Sequence, residues 1–159
     1  MHLSSKSLAF AKEILSLIGA AIAAYLLFTE PNSVSSGSNL FVCPGQSPHG
    51  IINCTAVATS RYSHILGIPL SLLALLWFIL LIFLSVLQRK GSKEVQMLSA
   101  YLSIAGIFAV FYSSFAMFEI GHVCVYCSAI DFILLILFFI GVAEARRLMQ
   151  QLATRKINK

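Results

Sequence analysis

The stretch ILGIPLSLLALLWFILLIFLSVL, Ile65 to Leu87, contains no formal charge. An α-helix rises about 1.5 Å per residue, so roughly 20 apolar residues cross a hydrocarbon core of about 30 Å. The stretch is therefore long enough to span a bilayer and too apolar for a helix that faces water. Working outward from it, Val95 to Phe118 is a second run of this kind. Val123 to Val142 is a third, interrupted only by Asp131. The N-terminal run reaches spanning length as Leu8 to Phe28 if Lys12 and Glu13 sit at the headgroups, where long basic side chains snorkel.

The expected fold is an all-α, integral membrane four-helix bundle forming one domain over residues 1–159. Its helices are placed at approximately 8–28, 65–87, 95–118 and 123–145, with a long loop over 29–64. Composition agrees: 58% of the chain is hydrophobic and only 11% charged, where soluble domains carry about 25%. Lys6 and Lys12 ahead of an apolar core also suit a cleaved leader, but Thr29, Glu30 and Pro31 follow Phe28 in place of a small-residue cleavage site. The first run is thus expected to be retained.

The net charge of +5 reads as topology. Lys6 and Lys12, then Arg89, Lys90 and Lys93, then Arg146, Arg147, Arg155, Lys156 and Lys159 fall on one side of such a bundle. Only Arg61 falls on the other. By the positive-inside rule both termini are cytoplasmic. None of these loops is large enough to fold into a nucleic-acid-binding surface, so that class of partner is excluded.

Two segments then face outward, and all four cysteines lie in or beside them. Cys43 and Cys54 are in the long loop, while Cys124-Val-Tyr-Cys127 opens the last helix. Residues at i and i+3 on a helix are neighbours, about 5–6 Å apart at Cβ, close enough for a disulfide after a small adjustment. A helix N-terminus favours negative charge, and the thiolate is the form of cysteine that attacks a disulfide. The pair is expected to be redox-active. A four-cysteine zinc site commonly uses two close doublets, and Cys43 and Cys54 are not one. Haem attachment needs a histidine after the second cysteine, where Ser128 stands. Two purely structural disulfides suit Cys43 with Cys54, but a bridge inside one helical turn closes almost no loop and stabilises little.

Two pairs suit an electron shuttle. A loop cysteine exchanges with a soluble partner and then with the helix-borne pair through mixed disulfides. Gly37, Pro44, Gly45, Pro48 and Gly50 keep that loop irregular. A lipid-soluble quinone is the expected terminal acceptor. Asp131 is a further candidate, because a carboxyl within an apolar run is costly and by default functional. At 100° per residue it shares a helix face with Cys124 and Cys127, which suits a proton relay. Trp77 and Tyr126 are candidates to contact the cofactor.

The segment Cys54-Thr-Ala-Val57-Ala-Thr-Ser60-Arg-Tyr62-Ser-His-Ile-Leu-Gly67-Ile68-Pro69, with the order of helices and cysteines over nearly the whole chain, resembles the vitamin K epoxide reductase family, particularly its bacterial homologues. The resemblance implies a four-helix bundle around a quinone such as ubiquinone or menaquinone. It implies that Cys43 exchanges with a thioredoxin-like partner, Cys54 passes electrons to Cys124, and Cys127 faces the quinone, with Ser60 near the site. Family members often carry a fused thioredoxin-like domain; here the partner is expected to be a separate protein at the extracytoplasmic face of the inner membrane. The chain departs from vertebrate members in having Asp131 where they have a tyrosine, and Leu70 where they have an asparagine. Quinone reduction, not vitamin K epoxide reduction, is therefore the expected activity. The rival expectation is a non-enzymatic membrane protein, an assembly factor or transport subunit, with structural disulfides. The bacterial quinone-linked disulfide generators place their Cys-x-x-Cys near the second helix, an order this chain does not share.

Overall fold

The computed structural model describes residues 5–35, 43–45, 50–88 and 93–157. Gly37, Pro48, Arg89, Lys90 and Lys159, used above for loop character and topology, lie outside them. Four helices are long and apolar enough to cross a membrane: Ser7–Thr29, Leu70–Gln88, Lys93–Ile120 and Val125–Gln151. In full these belong to α1 (Ser5–Ser35), α3 (Leu70–Gln88), α4 with α5 (Lys93–Ala105 and Ile107–Ile120) and α6 (Val125–Ile157); α2 (Cys54–Ala58) is a short helix before α3. The protein is an all-α, multi-pass membrane bundle.

Helix packing forms a ring. α1 lies chiefly against α3 and α4 against α6, while α3 meets α4 and α1 meets α6. The core is a continuous apolar cluster that includes Ala23, Phe78, Leu81, Leu134 and Leu137. Large apolar side chains also face outward along the spans, Phe83, Phe108, Phe111 and Phe139 among them. In water such a surface would aggregate; in lipid it is the ordinary exterior of a bundle. Helices touch closely where a side chain is missing. A Cβ on Gly19 would run into the Phe78 ring, and one on Gly141 would come within 2.9 Å of the Ala100 carbonyl.

Several element boundaries differ from expectation. The second span begins at Leu70, not Ile65, because the chain first makes a hairpin: β1 (His64–Ile65) pairs antiparallel with β2 (Ile68–Pro69), with His64 opposite Pro69. Leu66 (φ 54°) and Gly67 (φ 82°) both take the left-handed conformation, as a tight two-residue hairpin turn requires. Pro69 therefore stands in a strand and not inside the helix's first turn; the residue before a proline is disfavoured in helical conformation. The third span is drawn tighter at Gly106, where Ala109 N–H reaches back three residues to the Gly106 carbonyl. The first helix runs beyond Phe28 to Ser35.

The largest correction concerns Lys12. Its side chain does not snorkel outward but is fully buried between the helices, its Nζ 2.8 Å from Glu144 Oε2 and 2.6 Å from Ser99 Oγ. Gln88 Nε2 donates to the other Glu144 oxygen at 3.0 Å. One residue from each of the four spans thus meets in a polar cluster at the end of the bundle away from the cysteines. The apolar run around Lys12 hid this, since the charge that neutralises it lies 132 positions away. The signal was present nonetheless, as a basic and an acidic residue each embedded in a spanning helix.

Candidate active site

Residues 43–45 and 50–69 lie over one end of the bundle and carry the first cysteine pair there. Cys54 opens α2, which Asn53 caps by accepting a hydrogen bond from Ala56 N–H at 3.0 Å. A short parallel bridge pins this segment to the start of α6. Val123 N–H donates to the Ile51 carbonyl at 2.8 Å, and Asn53 N–H to the Val123 carbonyl at 3.1 Å. Beyond α2, Ser60 Oγ donates to the Val57 carbonyl at 2.8 Å and closes the helix end. Tyr112 on α5 then holds the following turn through the Tyr62 carbonyl, 3.2 Å away. Each anchor is local or bridges to α5 and α6, so the segment sits directly over the Cys124 end of α6.

Cys43 and Cys54 are disulfide-bonded, with Cα atoms 5.9 Å apart. Cys124 and Cys127 are thiols. The side chains of Cys43, Cys54 and Cys124 form one buried cluster, and Cys127 packs against it. All four sequence-predicted cysteines are therefore brought together, although some seventy positions separate the pairs in the chain.

Cys124 directly precedes α6 and acts as its cap. Its carbonyl receives Ser128 N–H at 2.9 Å, and its sulfur receives Cys127 N–H at 3.3 Å. In most helices a serine or aspartate oxygen takes that place; here a thiol does, aligned with the positive end of the helix dipole. The Cys127 thiol hydrogen bond is the main influence holding the Cys124 thiol below its ordinary range. The backbone N–H groups of Cys127 and Tyr126 act in the same direction, while burial and the Asp131 charge oppose them. Cys124 is thus disposed to ionise and attack. His122 is not among the groups that hold this sulfur, and its Nδ1 is buried without a partner among the described residues.

A cavity of about 280 Å³ opens beside the second pair, just under the range of ligand sites, about 300–1,000 Å³. Its walls are mainly apolar and come from α1, α3, α5, α6 and the covering segment. Cys124, Cys127, Asp131, Trp77 and Ser60 all line it. The helix-face expectation for Cys124, Cys127 and Asp131 corresponds to this placement. Ser113 on α5 stands within hydrogen-bonding reach of the Asp131 carboxyl. Trp77 Nε1 is buried with no partner among the described residues. Tyr126 is placed differently from expectation. It does not line the cavity but turns towards α1, its ring 5.3 Å from that of Tyr25. One residue along a helix rotates the side chain by about 100°, which carries Tyr126 off the face shared by Cys124 and Cys127. Sequence reasoning missed Tyr112 and Asn53, which only the folded contacts identify as anchors.

A membrane bundle with a disulfide packed on a helix-capping dithiol, itself beside an apolar cavity, defines a membrane thiol–disulfide oxidoreductase. The sequence agrees: the model of the vitamin K epoxide reductase family matches residues 12–142. The chain belongs to that family. No curated protein matches the chain as a relative.

Proposed function

We propose that the protein oxidises a separate thioredoxin-like thiol partner at the extracytoplasmic face of the inner membrane and delivers the electrons to a quinone held in the cavity. The observation that carries this reading is the double membership of Cys124: it packs with the Cys43–Cys54 disulfide and also lines the cavity. One sulfur can therefore exchange with the outer pair and with Cys127 beside the acceptor.

In this scheme a partner thiolate attacks the Cys43–Cys54 bond at Cys43, and the partner's second thiol resolves the mixed disulfide. Cys54 is fully buried and exchanges internally with Cys124. Once reduced, the Cys54 thiolate attacks the Cys124–Cys127 disulfide at Cys124 and releases Cys127, and Cys43 then resolves the Cys54–Cys124 bond, leaving both sulfurs of the second pair reduced. Bound quinone supplies a two-electron acceptor. The chain's residues suit such a ring: the walls are apolar, and the unpartnered Trp77 N–H can donate to a carbonyl oxygen. Asp131 stands at the cavity wall within reach of Ser113, where its carboxyl can take up or give a proton. Ser60 acts by fixing the covering segment.

The test is anaerobic mixing of the fully reduced, purified protein with ubiquinone or menaquinone while quinol formation is followed. Quinol should form with the intact protein and not with Cys127→Ser. In that variant isolated with its Cys43–Cys54 disulfide intact, the Cys124 thiolate should attack Cys54, release the Cys43 thiolate and be trapped as a Cys54–Cys124 mixed disulfide. Loss of quinol formation in Asp131→Asn with exchange intact assigns Asp131 to the proton step; unchanged turnover removes it.

A further inference from the structure

Two buried polar regions lie at opposite ends of the bundle, and an apolar layer separates them. At the cysteine end is the cavity with Asp131. At the other end Lys12, Ser99, Gln88 and Glu144 are bonded to one another. Asp131 and Glu144 stand on the same helix, 13 residues or about 20 Å apart. Midway between them are Leu134 and Leu137 of α6, facing Phe78 and Leu81 of α3, and Phe78, Leu81 and Leu137 are at most 1% exposed.

A proton moves through a protein along groups that both accept and donate hydrogen bonds, spaced about 3 Å apart. The layer of leucine and phenylalanine side chains offers none. The hydroxyls nearest to it on the far side do not bridge it. Ser103 Oγ donates to the Ser99 carbonyl, towards the polar cluster. Ser16 and Ser85 lie one turn from Lys12 and Leu81 respectively, on the cluster's side of Phe78. On the cavity side Trp77 Nε1 approaches Gly106, but an indole N–H only donates. The cavity is thus insulated from the polar cluster at the other end of the bundle.

Resting on the quinone-reducing reading above, we infer that turnover is electroneutral: both protons that end on the quinol come from the thiol side, and no charge crosses the membrane. The balance closes without another reactant. Formation of the Cys124–Cys127 S–S bond releases two electrons and two protons, which the quinone takes up as a quinol. Formation of the partner's S–S bond returns two electrons and two protons to the cysteines. Asp131 acts as a way-station within the cavity, not as the end of a channel from the cytoplasm. The buried Lys12–Glu144 pair belongs to the closed end of the bundle.

The test uses the whole protein in sealed vesicles containing ubiquinone, with reduced glutathione outside as a thiol donor that does not cross the bilayer. Potassium gradients with valinomycin set potentials of about 100 mV of either sign. The expected result is a rate of quinol formation that changes less than about twofold between the two signs, with no net proton release outside. A charge carried across the membrane would shift the equilibrium up to about fifty-fold per 100 mV. A several-fold dependence on sign, or two protons released outside for each quinol, overturns the inference while leaving quinone reduction intact. Absence of quinol at zero potential removes the quinone reading itself, and this inference with it.

Discussion

Breaking the buried ion pair is the most quantitative test of the fold. Lys12 is fully buried and Glu144 nearly so, and the Nζ–Oε2 distance is 2.8 Å. Among the described residues, in Lys12→Met the Glu144 carboxylate keeps only Gln88, and in Glu144→Leu the Lys12 ammonium keeps only Ser99. Each single change strands a charge away from water and should cost about 3–5 kcal/mol. At about 2–4 °C per kcal/mol for a chain of this size, the apparent midpoint of thermal unfolding falls on the order of 6–20 °C. The double change removes both charges, so neither has to be desolvated. What remains is the lost partners of Ser99 and Gln88, about 1–3 kcal/mol in all. The double variant should therefore be more stable than either single one, with a coupling of about 3 kcal/mol or more. The assay is unfolding of all four proteins in one detergent at one scan rate, followed by tryptophan fluorescence or circular dichroism. If the double variant loses the sum of the two single losses, the pair does not hold the bundle as described.

Three further outcomes follow from the site and the helix contacts. Trp77→Phe keeps the ring but removes the unpartnered N–H; the KM for quinone should rise about fivefold, near 1 kcal/mol, and an unchanged KM would show that the N–H meets no carbonyl. Cys127→Ala removes the principal hydrogen bond that lowers the Cys124 pKa. Because the thiolate is the reactive form, the pH midpoint for alkylation of reduced Cys124 should move upward when this change is added to a Cys43→Ser, Cys54→Ser background, which offers no outer disulfide to capture Cys124, compared with that background alone. Gly141→Ala places a Cβ 2.9 Å from the Ala100 carbonyl and 2.8 Å from Ser103 Cβ; because backbone must give way, stability should fall by about 1–3 kcal/mol, measured by thermal unfolding.

Much of the fold was legible because hydropathy is a local property. Ile65–Leu87 alone requires a membrane or a deep core, and four such runs define the bundle. The site was legible as far as spacing reached: Cys124 and Cys127 share a face with Asp131 because a helix turns about 100° per residue. Tyr126 shows the limit of that reasoning, since its chemistry suited a cofactor contact while its position on the helix turned it towards Tyr25. Pro69 shows another. A hydrophobic stretch does not reveal that Leu66 and Gly67 reverse the chain before the helix can start.

The amino-acid sequence by itself determined that the chain crosses a membrane and carries two cysteine pairs, one of them at a helix start. These features follow from side-chain chemistry within a turn or a single span. Tertiary structure decided that Cys54 packs beside Cys124, that Trp77 and Asp131 border one cavity, and that Lys12 finds Glu144. Such contacts depend on the rotation and offset of whole helices against each other. Those are set by the sum of many packing contacts, including the close approaches at Gly19 and Gly141, and no short stretch of sequence encodes them.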